Sequence, residues 1–260
     1  MGEKLPLPVR TGMMLAGILL IGVSVALYRL AAFGVDPFTG MNLGISTFLG
    51  WSFGNWQLLA NALILAVVFF TVRSCIGLGT VVNMVCVGYI ADFLCWLVQE
   101  GLALSLRLPV RAALLLPALL FASSGVALYM KGDMGIAPYD SVAVVVETLT
   151  RKWVPFHLAR ILSDVTVVVV GAVFCLLAGE PIWLVVGAGT VCNALLNGPA
   201  IQLFRRGLDR VCGGRTWGCG GTLLFASHPV GAINDQLGSS GVSAIVVPHL
   251  DEDIMHSLLT

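Results

Sequence analysis

Six stretches of this chain, residues 12–28, 55–72, 77–98, 112–130, 158–178 and 182–204, are almost unbroken runs of apolar side chains. Each is near the length of about 20 residues that a helix needs to cross a hydrocarbon core of about 30 Å. Lipid offers no partners for free backbone N–H and C=O groups, so runs of this kind fold as helices. The expected fold class is therefore all-α, a polytopic transmembrane helical bundle. The lipid bilayer is the first partner. Composition agrees, because only 11% of the 260 residues are charged, against about 25% in soluble domains.

The same composition excludes other classes. Lys and Arg total 14 and Asp and Glu total 14, so no basic excess is available to neutralise a phosphate backbone, and no nucleic acid partner is expected. Seven cysteines is an odd number. Cys75, Cys86, Cys95, Cys175 and Cys192 fall in or beside apolar runs without paired metal-ligand spacing and read as small core hydrophobes. No metal and no cofactor is expected. Phosphate loops, HExxH helices and GxSxG elbows are all missing from the sequence, so the chain reads as a non-enzyme.

Between the first and second runs lies 36–50, and between the fourth and fifth lies 138–150. Both are short for a span and read as re-entrant or interfacial helices. The first run, preceded by Lys4 and Arg10, resembles a signal peptide, but it lacks a small-x-small cleavage site and recurs mid-chain. With six spans and a cytoplasmic start, inner loops collect most of the Lys and Arg, and both termini lie in the cytoplasm. Eight spans would give the same tally; segment length alone favours six.

The chain also repeats itself. Ala26-Leu-Tyr28 and Gly34-Val-Asp-Pro-Phe38 match Ala127-Leu-Tyr129 and Gly135-Ile-Ala-Pro-Tyr139 at a constant offset of 101 residues. Gly79-Thr-Val-Val-Asn83 with Gly88 matches Gly189-Thr-Val-Cys-Asn193 with Gly198 at an offset of 110. The expected organisation is an N-terminal segment 1–11, a first transmembrane repeat 12–105, a second 106–206, and a cytoplasmic, largely disordered tail 207–260. Three spans per half is an odd number, so the halves are expected to be inverted repeats, each of three spans plus one short helix. Secondary transporters commonly use this design.

Asp36 can cap the first short helix, and Pro37 and Pro138 suit a first helical position. A helix amino terminus at membrane depth suits an anionic group, while the bland alternative is a turn at the lipid surface. Charges inside spans are functional candidates. His157, Arg160 and Asp164 share one arc of the fifth span, and Gln57 and Asn61 hold the equivalent place in the second. Asp140, Glu147, Tyr89 and Asp92 are weaker candidates. Asn83 and Asn193 follow a glycine by four residues, which reads as close helix contact with an interhelical hydrogen bond. The expected substrate path is thus Asp36, Gln57, Asn61, Asn83, Asp140, Arg160, Asp164 and Asn193, against the plainer reading of a polar packing clamp. Trp51, Trp56, Trp96, Trp153 and Trp183 read as interfacial anchors.

Gly34-Val-Asp-Pro-Phe38, Gly54-Asn-Trp-Gln57, and Ile76-Gly-Leu-Gly-Thr80 followed by Asn83 and Gly88-Tyr-Ile-Ala-Asp-Phe93 resemble the YczE/YyaS/YitT family of bacterial integral membrane proteins. The resemblance covers residues 10 to 206 and implies a multi-pass helical fold in the bacterial cytoplasmic membrane. It carries no known substrate or catalytic residues. The leading expectation is a secondary transporter or exporter of an unknown small molecule. The alternative is a non-transporting scaffold or accessory protein, and either is compatible with a homo-oligomer.

Overall fold

The computed structural model describes residues 5–212 except 74–75, 104–105, 151–152 and 155. Regular structure among the described residues is entirely helical. In chain order the helices are α1 (Leu7–Ala31), α2 (Pro37–Leu49), α3 (Phe53–Thr71), α4 (Leu78–Trp96, continued by a π-helical turn Leu97–Gly101), α5 (Leu108–Ala113), α6 (Leu115–Gly132), α7 (Pro138–Leu149), α8 (Phe156–Leu177) and α9 (Ala188–Cys212). Among the described residues, six helical segments are long and apolar enough to cross a membrane. Helices α2 and α7, with 13 and 12 residues, reach about 20 Å at the helical rise and are too short to do so.

The ends of α9 differ from those of the sixth apolar run, which as a whole is a candidate span over Ile182–Val211. The sixth apolar run does not start as an α-helix at Ile182: residues Ile182–Leu184 form one 3₁₀ turn, and α9 begins at Ala188. The cause is tertiary. Gly189 N–H donates to Phe33 O at 2.7 Å, which pins the start of α9 to the loop before α2. At the other end α9 continues to Cys212, beyond the expected tail boundary at 207. The rest of the tail, with a Cys212–Cys219 pairing, lies outside the described residues, as do Cys75 and the side chain of His157.

Helices α1 and α6 form the antiparallel centre. Contacts run from Arg10 opposite Gly132, through Gly17 against Gly125, to Ser24 Oγ donating to Ala118 O at 2.7 Å, and beyond α6 the α5 residue Arg111 stands opposite Ala31. A Cβ added to Gly17 would lie 2.7 Å from Gly125 O. Apolar area offers no drive for association in lipid, so close backbone approach at small residues is what holds such a pair. Around this pair α4 packs on α1 and α9 on α6. Met14, Ile18, Val25 and Ala26 meet Val87, Ala91 and Cys95 in the largest apolar cluster.

The short helices lean on helices distant in sequence. Helix α2 packs on α8, where Gly44 faces the backbone of Gly171, and α7 packs on α3, where Ala143 and Val144 join Val68. Leu116, Leu195 and Leu203 remain outside, as expected of side chains that face lipid.

Candidate functional site

Each short helix is entered by an extended stretch after a left-handed residue. Gly34 has φ +91° and Gly135 φ +121°, a region that L side chains rarely adopt. Ahead of them, α1 ends at Ala32 with φ 53° and α6 at Asp133 with φ 49°. Those two ends are capped reciprocally. Arg10 donates through Nε to Gly132 O at 2.9 Å and through Nη2 to Asp133 O, whereas Arg111 donates through Nε to Ala31 O at 2.9 Å. A guanidinium suits the negative end of a helix. Arg10 and Arg111 stand 101 residues apart, so the offset that relates the short helices also relates their caps.

The chain then meets the Gly-x-Gly-Thr segments. Gly79 N–H donates to Met134 O at 2.8 Å, and Gly189 N–H to Phe33 O at 2.7 Å. Thr80 Oγ1 accepts from Gly77 N–H at 3.1 Å and donates to Ile136 O at 2.8 Å. Thr190 Oγ1 accepts from Gly187 N–H at 3.2 Å and donates to Val185 O at 3.0 Å. These segments are backbone clasps, in which Gly79 and Gly189 make their close contact with the loops ahead of α7 and α2 rather than with the helix that the sequence reading expected. The expected amide hydrogen bond is corrected: the threonines make the bonds, and among the described residues Asn83 and Asn193 are buried without one.

The clasps bring the amino termini of α2 and α7 together. Phe38 and Tyr139 stack with ring centroids 4.5 Å apart and planes at 14°. Asp36 caps α2 as the sequence predicts, accepting from Thr39 N–H at 3.0 Å. Asp140 lies in the first turn of α7. Both termini therefore already carry a carboxylate, which changes the expectation of an open anion site.

Against them lies the charged arc of α8. Arg160 Nη1 donates to Asp140 Oδ1 at 2.8 Å, and Arg160 Nε to Asp164 Oδ2 at 3.3 Å. Tyr139 OH donates to Asp164 Oδ1 at 2.5 Å, and Arg160 lies over the Tyr139 ring at 4.9 Å. Asp140, Arg160 and Asp164 thus form one cluster of two carboxylates and one guanidinium, with Asp36 kept to its cap on α2. Gln57 and Asn61 sit elsewhere on α3, buried, with Gln57 Oε1 unpartnered and facing Gly88 of α4.

Sequence reasoning did not nominate Tyr139 or Phe38, although both end the repeated Gly-x-x-Pro-aromatic run. It also undervalued Asp92. That carboxylate accepts from Gly54 N–H at 2.6 Å and pairs with Arg29 Nη1 at 2.8 Å, while Arg29 covers the Phe53 ring at 4.4 Å. On α6, Lys131 is fully buried and pairs with Asp209 at 2.8 Å. Trp51, Trp96, Trp153 and Trp183 are exposed as interfacial anchors should be. Trp56 is half-buried against Trp51, with its Nε1 buried.

No group of three His, Cys, Asp or Glu side chains among the described residues is placed to hold a metal ion. Residues 8–206 match DUF6198, a family of unknown function. The chain belongs to this family. It is also similar to the uncharacterised protein YyaS of Bacillus subtilis (strain 168), 22% identical over 195 residues that cover 75% of this chain and 91% of that protein. To the uncharacterised membrane protein YczE of the same organism it is 25% identical over 181 residues, 70% of this chain and 77% of that one. The resemblance read from the motifs is thereby borne out, and the chain is a multi-pass helical membrane protein. No solved structure matches it.

Proposed function

We propose that this chain is a secondary transporter of a small molecule, working by alternating access between two inverted halves in the bacterial cytoplasmic membrane. Its termini would lie in the cytoplasm. The observation that carries this reading is the meeting of two half-length helices, amino terminus to amino terminus at Phe38 and Tyr139, beside the charged arc of α8. Broken helices that meet at the seam between repeats are where transporters place their sites. The antiparallel α1 and α6 and the reciprocal arginine caps support the inverted arrangement. Two carboxylates, Asp140 and Asp164, against the one guanidinium of Arg160 leave the seam short of positive charge, which favours a cationic or protonatable cargo over an anionic one.

A scaffold role is the second reading, favoured by one observation: Arg160 is paired on both sides by Asp140 and Asp164, as a packing clamp would be. Untargeted mass spectrometry of medium and cell extract separates the two. Compounds whose distribution across the membrane changes with the intact chain, but not with a folded Tyr139→Phe or Asp36→Asn variant, would support transport. Identical distributions for the intact chain, both variants and the empty vector would favour the scaffold.

A further inference from the structure

Two helix pairs that the repeat makes equivalent are packed differently. Helices α3 and α4 are sealed together. A Cβ on Gly88 would lie 2.9 Å from Gly54 Cα and 3.0 Å from Gln57 Oε1, and Tyr89 OH donates to Asn55 Oδ1 at 2.8 Å. The Arg29–Asp92 pair and the Gly54 N–H to Asp92 bond close the end of the seam. Helices α8 and α9 form no comparable seam among the described residues.

Exposure follows this difference residue by residue. Gln57, Ala60 and Asn61 are buried at 5%, 6% and 2%. At the equivalent places on α8, the Arg160 and Asp164 side chains are 24% and 31% exposed and Ser163 is half-buried. On the facing helices, Val87 and Gly88 are buried while Asn197 and Gly198 are half-buried. The same face of the same kind of helix is shut in one half and open in the other.

The sequence explains the bias. Where the first half has Arg29, Tyr89 and Asp92, the repeat offsets put Met130, Pro199 and Gln202 in the second. The second half has its own ion pair, Lys131–Asp209, which ties α9 to α6, but no described residue there latches α9 onto α8 as Asp92 latches Gly54 of α3. Parting α3 from α4 breaks the Gly54 N–H bond to Asp92 and lifts Phe53 from the Arg29 guanidinium that Asp92 holds on α1, and no such bond ties α8 to α9 among the described residues.

We propose that α3 and α4 are one gate, held shut by a latch in which the Arg29–Asp92 pair grips Gly54 N–H and the Phe53 ring of α3, and that α8 and α9 are the other gate, standing open in this conformation. Arg160 and Asp164 are then reached from the membrane face on which α8 begins. The opposite state brings Gly198 onto α8 and frees Gln57 and Asn61. This inference rests on the alternating-access reading, and its test does not need the substrate.

The test uses Ala60→Cys and Ser163→Cys, one at a time, in a chain cleared of native cysteines, with a membrane-impermeant maleimide applied to vesicles of either orientation. Ser163→Cys is expected to react from one face only, and Ala60→Cys to stay protected from both. Adding Asp92→Asn or Arg29→Gln is expected to raise Ala60→Cys labelling about tenfold, from the opposite face, and to lower that of Ser163→Cys. Where a latch variant does not elute as folded protein, Tyr89→Phe, which deletes only a hydroxyl, is read in the same way. Equal labelling of the two positions with the latch intact would overturn the proposal, as would Ala60→Cys staying protected when the latch is broken in folded protein. Labelling that switches without any compound crossing would leave the gates standing and remove the transporter reading.

Discussion

Arg160 shows how a single side chain at membrane depth acts through the charges it holds. Its guanidinium bridges Asp140 and Asp164, and Tyr139 OH completes the Asp164 shell. Arg160→Ala would leave two carboxylates without their counter-charge and should lower stability by about 3–5 kcal/mol, read as a lower Tm in detergent. Asp164→Asn added to Arg160→Ala should recover part of that loss. A double variant that melts below Arg160→Ala would show that the pair is not the stabilising unit. The i, i+4 spacing made Arg160 and Asp164 legible as a pair in the sequence, whereas Asp140 joined them only through the fold. Its spacing of 20 residues from Arg160 carries no local signal, because α7 has to turn back onto α8 before the two meet.

At the level of elements, glycine placement decides which helices approach. Gly17 and Gly12 lie in the same helix, yet a Cβ on Gly17 would meet Gly125 O at 2.7 Å while one on Gly12 would meet nothing within 4 Å. Gly17→Ala should therefore cost about 1–3 kcal/mol and Gly12→Ala next to nothing, compared by thermal unfolding of the two variants side by side. The reciprocal caps make a paired expectation. Arg10→Ala frees the end of α6 and Arg111→Ala the end of α1, so each should cost about 1–2 kcal/mol and protease or hydrogen-exchange mapping should find the loosened residues near 132–134 and 31–33 respectively. Loosening at the arginine's own helix instead would contradict the cross-capping. The short helices α2 and α7 were readable from Asp36-Pro37 and Pro138 because capping and proline at the first turn are local effects. The delayed start of α9 was not, since the apolar run continues through Ile182–Leu184 while the helix starts only where Gly189 meets Phe33 O and Thr190 bonds Gly187 and Val185.

Across the whole molecule, the short helices of an inverted pair should enter from opposite faces. Single cysteines at the loop ends of α2 and α7, Trp51 and Trp153, should each react with an impermeant thiol reagent from one face only, and not from the same face. Reaction of both from one face would remove the inverted arrangement and with it the alternating-access reading. The sequence by itself determined that the chain is a membrane-embedded helical bundle of this family, with long and short helices in a fixed order. Apolar run length and helix-start signals are one-dimensional, and lipid permits few other solutions for such a chain. Only the tertiary structure decided which helix covers which, that Phe38 stacks on Tyr139, that threonine rather than asparagine closes the clasps, and that α3 is sealed by α4 while α8 stands clear of α9. Those outcomes depend on backbones approaching at small residues far apart in the chain, and on balances of charge that exist only once distant segments have met.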